Sequence, residues 1–149
     1  IMPSIDTTKF KDKEIQKKWG PRVEYTYGCP NGTFDVYVYR IAYVTEDGKL
    51  IDLPWNEVKE RCVEIGVKHV PEVIPTFVNH YTTEDLAKLI EELTEKDDPN
   101  FPNQPREGVC IRADNCFNVK IYKSKSFTFK LLEGIIKNDD TYVDTEEIS

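Results

Sequence analysis

The sequence predicts an α+β fold: mainly an antiparallel sheet with flanking helices. Three observations carry that expectation. The window "TFDVYVYRIAYV" (33–44) is rich in β-branched and aromatic residues. Residues 107–126 read as two strands joined by a turn, a hairpin. Two other windows, 54–66 and 82–96, space apolar residues at helical intervals.

Taken in order, "FKDKEIQKKWGPRVEY" starts polar and helical and is broken at Gly20-Pro21. "TFDVYVYRIAYV" reads as one long strand. Its alternation places Phe34, Val36, Val38, Arg40 and Ala42 on one side and Asp35, Tyr37, Tyr39, Ile41 and Tyr43 on the other. Neither side is purely apolar, as expected of a strand that borders a site. "EDGK" then makes a turn. In "LPWNEVKERCVEIG", Pro54 suits a first helical turn, Trp55, Val58, Cys62 and Ile65 form one apolar stripe, and Gly66 is the stop.

"VKHVPEVIP" is short and extended, punctuated by Pro71 and Pro75. "TTEDLAKLIEELTEK" is the next helix, with Thr82 or Thr83 as cap and Leu86, Leu89, Ile90 and Leu93 facing the core. "DDPNFPNQP" is a proline-rich loop. "EGVCIRAD" and "CFNVKIYKSKS" are the hairpin strands, and "FTFKLLEGIIK" either continues as strand or turns into helix. Residues 138–149 are an acidic, frayed tail.

At 149 residues the chain suits a single domain, 1–149, with a real hydrophobic core. Its 39% hydrophobic and 32% charged residues describe a globular protein. No apolar run approaches a membrane span or the core of a signal peptide, so the expectation is a cytoplasmic protein without a membrane partner. Cys29, Cys62, Cys110 and Cys116 show no CxxC spacing, and neither His69 nor His80 lies near two of them. Reduced, buried thiols are the expectation.

The net charge is −7, yet "KIYKSKSFTFK" (120–130) holds four lysines and no acid. Much of the acid is clustered elsewhere, in "EELTEKDD" and "NDDTYVDTEE". A local basic strand in an acidic chain suits phosphate, whose contact depends on local positive charge. Lys123 and Lys125, two residues apart on a strand, point to one face and can grip one phosphate group together, with Lys120 opposite. Glu107 opens the preceding strand, and a carboxylate there can hold a divalent cation that neutralises phosphate oxygens. Spacing alone leaves the bland alternatives open. Glu107 could be a surface acid paired with Arg106 or Arg112, the KxK pair a solvated strand edge, and the tyrosines sheet packing.

"REGVCIR" followed by "YKSKSFTF" resembles motifs IV and V of the covalent nucleotidyltransferases, and specifically the ATP-dependent RNA ligases. The patterns are EGxVIR and KxKSxxF. Glu107 to Arg112 matches the first, with Cys110 where Val is common, and Lys123 to Phe129 the second. "FDVYVYRIAYVTEDGKLIDL" resembles the motif IIIa strand, and "WNEVKERCVEIGVKHVPEV" the segment that follows it in phage and viral members. The resemblance implies a nucleotidyltransferase (ATP-grasp-like ligase) domain that uses ATP and Mg²⁺ to join RNA ends through enzyme-AMP and RNA-adenylate intermediates. It gives Glu107 a metal-placing role and Lys123 and Lys125 the nucleotide α-phosphate. It assigns Tyr37 or Tyr39 to the adenine pocket and Cys110 to its floor.

The family's nucleophile lies in a Kx(D/N)G motif, and no such tetrapeptide occurs in the chain; "EDGKL" has its lysine on the wrong side. The expectation is therefore the C-terminal portion of an adenylyltransferase domain, inactive alone, within an intact RNA ligase. The other reading is a non-catalytic nucleotide- or RNA-binding module derived from the same fold.

Overall fold

The computed structural model describes residues 4–114 and 119–134. The Cys116 thiol, Asn115 of the "ADN" turn and the acidic tail lie outside the described residues. Helices and short, mostly antiparallel strand pairs make up an α+β fold, in two compact units.

The first unit takes in residues 1–30, 80–109 and 124–149. Strand β1 (Ile5–Asp6) pairs antiparallel with β2 (Arg22–Val23), and helix α1 (Lys13–Trp19) lies between them in sequence. The Asp12 carboxylate caps α1 through the Glu14 amide, and Gly20 ends it at a φ of 85° that favours glycine. Helix α3 (Thr83–Glu95) has Thr82 as its cap, its hydroxyl accepting from the Asp85 amide. Its four-residue apolar stripe is only half-buried, and Thr94 is the side chain that goes fully inside. "FTFKLLEGIIK" resolves as helix: α4 (Phe127–Glu133) starts at Ser126 and ends at left-handed Gly134. Ile15, Val23, Tyr25, Phe129, Leu131 and Leu132 form this unit's core, with Ile5, Phe10 and Trp19 against it.

The second unit takes in residues 31–79 and 110–123. The long strand expected over 33–44 is broken. Strand β3 is Tyr37–Val38, and β4 (Ala42–Val44) begins after a gap. The physical reason lies in the core. Val38 and Ile41, on opposite sides by strict alternation, both pack against Trp55, Val58 and Cys62, which an unbroken strand could not arrange.

Strand β4 pairs antiparallel with β5 (Leu50–Asp52) across the expected turn, closed by the Thr45 amide donating to the Lys49 carbonyl. Strand β3 instead pairs in parallel with β6 (Lys68–His69), a departure from the antiparallel pattern. Between them runs α2 (Trp55–Ile65), ended by Gly66 in the left-handed conformation. Trp55, Val58 and Cys62 are buried as expected; Ile65 is not, at 66% exposed, because the last turn reaches past the packed face. The thiols also depart from expectation. Only Cys62 is buried among the three described, and Cys110 is exposed.

Strands β7 (Gly108–Ala113) and β8 (Lys120–Lys125) pair with one another, and each passes from one unit to the other.

Candidate functional site

In the first unit, the start of β7 is bound to the end of β8 by backbone. The Ser126 amide donates to the Glu107 carbonyl at 2.8 Å, and the Ser126 hydroxyl donates to the Arg106 carbonyl at 2.6 Å. The same hydroxyl oxygen accepts from the Phe129 amide at 3.1 Å, so one buried serine caps α4 and ties the two segments together. Gly108 is where they come closest. A Cβ there would lie 1.9 Å from the Ser124 carbonyl oxygen and 2.9 Å from the Lys125 Cα. The Glu-Gly pair therefore has a steric cause: only glycine lets β8 pass beside Glu107.

Arg106 is the buried anchor of this arrangement, its side chain 6% exposed. It donates to the Leu93 carbonyl at 2.7 Å and pairs with Asp98 at 3.7 Å, while its Nε has no partner among the described residues. Thr94 donates to the Ile90 carbonyl and is hydrogen-bonded to Ser124 at 2.9 Å, fixing β8 against α3. The Lys125 ammonium lies 3.3 Å from a Glu133 carboxylate oxygen and 5.8 Å from the Phe129 ring centre. The Tyr25 hydroxyl is buried with no hydrogen-bond partner among the described residues. Burial, then the Glu107 and Glu133 carboxylates, push its pKa up. An open depression of about 200 Å³ is lined by Tyr27, Phe101, Gln104, Arg106 and Glu107, among others.

In the second unit, Arg112 organises the backbone. It donates to Asp114 at 2.6 Å, to the Leu53 carbonyl at 2.7 Å and to the Tyr39 carbonyl at 3.2 Å, and it lies 5.6 Å from the Trp55 ring centre. Asp114 in turn accepts from the Trp55 amide at 2.7 Å, placing a negative charge at the start of α2, where Pro54 offers no side-chain cap. Arg40 grips buried Asp52 with both nitrogens of its fork, and the Val119 amide donates to Asp52 as well. The Arg40 hydrogen bonds hold the Asp52 carboxyl below its ordinary pKa.

With this geometry in place, the chain matches the family model described as RNA ligase over residues 11–132. It belongs to the RNA ligase family. No curated protein and no solved structure matches it.

The residues that the RNA ligase motifs single out divide between the units. Glu107 and Lys125 fall in the first, brought near each other by the Ser126 and Gly108 contacts. Tyr37, Tyr39, Cys110 and Lys123 fall in the second. Tyr37 is half-buried under the Lys68 ammonium, 5.5 Å from its ring centre. Tyr39 is 62% exposed and contributes its carbonyl to Arg112. Cys110 is an exposed free thiol on β7. Lys123 is exposed on β8 and makes no ion pair with another described residue, two positions from Lys125 on the same strand.

Mg²⁺ ordinarily takes one or two carboxylates together with substrate phosphates rather than an all-protein cage. Glu107 offers one carboxylate at this junction, within the one or two that such a site takes from the protein. The His69 ring lies edge-on to Trp55. Two contacts escaped the sequence reading, the Ser126 cap of α4 and the Glu133 partner of Lys125. Ser126 carried a usable signal, a serine directly before a helical apolar stripe. Glu133 carried none, because its pairing with Lys125 depends on the bend between β8 and α4.

Proposed function

We propose that the chain forms the motif IIIa-to-V part of an ATP-dependent RNA ligase, with the nucleophilic lysine supplied outside these residues. The observation that carries the reading is the direct backbone junction of Glu107-Gly108 with Ser124 to Ser126, on a chain that matches the RNA ligase family. It supports Lys125 acting on an anionic group and Glu107 on a cation beside it.

In the proposed reaction a lysine amine attacks the α-phosphorus of ATP, forming a phosphorus–nitrogen bond as pyrophosphate leaves. An RNA 5′-phosphate oxygen then takes the AMP, freeing the lysine. A 3′-hydroxyl attacks the activated 5′-phosphate, a phosphodiester forms, and AMP departs. A divalent cation supplies charge neutralisation at phosphate oxygens when bound. Lys123 and Lys125 hold the α-phosphate oxygens as charge builds on phosphorus, Glu107 orients the cation, and Tyr37 or Tyr39 and Cys110 meet the adenine.

The test is the intact mass of the full gene product before and after ATP with Mg²⁺. A product longer than 149 residues that gains the mass of AMP, with the gain lost in Lys125→Ala, is the expected result. A product that never gains AMP refutes the ligase reaction. A second reading is a nucleotide- or RNA-binding module of the same fold that does not form the adduct; the two divide on whether a Kx(D/N)G lies upstream in the intact gene product. That reading expects ATP or RNA binding, weakened by Lys123→Ala, with no change in mass.

A further inference from the structure

Lys125 does not stand ready for an anion; it already has one. Its ammonium is 3.3 Å from Glu133, with the two side chains 41% and 28% exposed, so the pair is open to exchange with solvent and solutes. The position of Glu133 is unfavourable for its own helix. It is the last residue of α4, ahead of left-handed Gly134, where a carboxylate meets the negative end of the peptide dipoles. Nearby cations offset that cost: Lys130 stands in the last turn of α4, and Lys125 is in ion-pair contact with Glu133 itself. The surroundings add a second negative group, since Glu107 and Glu133 both act on the buried Tyr25 hydroxyl. Of these two carboxylates, Glu133 is the one in ion-pair contact with Lys125. A lysine ammonium is a compact point charge, and it cannot neutralise a carboxylate and a phosphate fully at once.

We propose that Glu133 is a built-in competitor for Lys125, holding its ammonium when no nucleotide is bound and giving way to phosphate oxygens when one is. The inference rests on the reading of Lys125 as a phosphate-binding lysine. It makes Glu133 a positioning residue that acts through Lys125. Its effect is to weaken resting affinity for nucleotide while keeping the lysine folded back near the Phe129 ring.

The experiment is calorimetric titration of the full chain with ATP and Mg²⁺, for the parent, Glu133→Gln, Lys125→Ala and the double variant. Glu133→Gln keeps the side-chain shape and removes the charge. It is expected to tighten Kd by about two- to five-fold, the range of an exposed ion pair. In the Lys125→Ala background the same change is expected to do nothing, because the lysine carries the effect. Equal tightening in both backgrounds would mean plain repulsion of the phosphates and would overturn the proposal. An unchanged or weakened Kd with Lys125 present would overturn it too. If Lys125→Ala by itself leaves Kd unchanged, the phosphate role of Lys125 falls, and the role of Glu133 with it.

Discussion

Replacing Gly108 with alanine is the most direct assault on the junction between the two motifs. The added Cβ would stand 1.9 Å from the Ser124 carbonyl oxygen, 2.8 Å from its carbon and 2.9 Å from the Lys125 Cα. All three are main-chain atoms, so no flexible side chain can swing aside. The backbone of β7 or β8 must move instead, at about 1–3 kcal/mol for overpacking. That movement also strains the Ser126–Glu107 hydrogen bond, worth about 0.5–1.5 kcal/mol. Gly108 also sits at a φ of 154°, which L residues rarely adopt, adding about 1 kcal/mol or more. The expected loss is therefore about 3–5 kcal/mol, near 1.5–2.5 M in urea midpoint for a slope of about 2 kcal/mol/M.

Gly66→Ala is the matched control. Gly66 is also left-handed, at a φ of 71°, but a Cβ there meets nothing within 4 Å, so only the conformational cost of about 1–2 kcal/mol remains. Urea unfolding combined with hydrogen-exchange mass spectrometry reads both the size and the place of the loss. Gly108→Ala should expose amides around Ser126 and the first turn of α4. A loss no larger than that of Gly66→Ala, with protection around Ser126 intact, would refute the close approach of β8 to Glu107.

Ser126→Ala removes the α4 cap and leaves the buried Arg106 carbonyl without its donor, and should cost about 1–2 kcal/mol by urea unfolding. Arg112→Lys cannot reach Asp114, Leu53 and Tyr39 from one ammonium; a loss of about 2 kcal/mol is expected, read as a lower thermal midpoint. Asp52 has its folded pKa lowered, first by the Arg40 hydrogen bond. It therefore contributes stability that is present above the unfolded carboxylate value, near 3.8, and is lost as pH falls through the lower folded value. Unfolding free energies measured from pH 6 downward should fall below about pH 4. The fall should be shallower in Asp52→Asn, and an equally steep fall in that variant would refute the assignment.

How much was legible in the sequence follows the range of each interaction. Both long helices were read correctly because their signals lie within a dozen residues: Thr82 before α3, Gly66 after α2, and apolar stripes between. The turn at Gly48 and the break at Gly20 are local in the same sense. The residue types of "REGVCIR" and "YKSKSFTF" were visible in order, which was enough to indicate the RNA ligase family that the match over residues 11–132 shows. The break between β3 and β4 was hidden, because β-rich composition says nothing of which residues α2 will meet. Only packing put Val38 and Ile41 on the same core.

The sequence by itself thus determined α2 and α3, the Gly66 stop, a threonine cap at 82 or 83, and the residue types of the candidate site. Tertiary structure decided what those residues touch. Asp114 caps a helix that begins 59 positions earlier, and Thr94 meets Ser124 across 30. Arg112, which spacing alone left open as a partner of Glu107, is committed to Asp114 and two backbone carbonyls. Lys125 faces Glu133 only because the chain bends at Ser126 into α4. Local signals are written in neighbouring residues, whereas these pairings exist only once loop-closure entropy has been offset by the packing of distant segments.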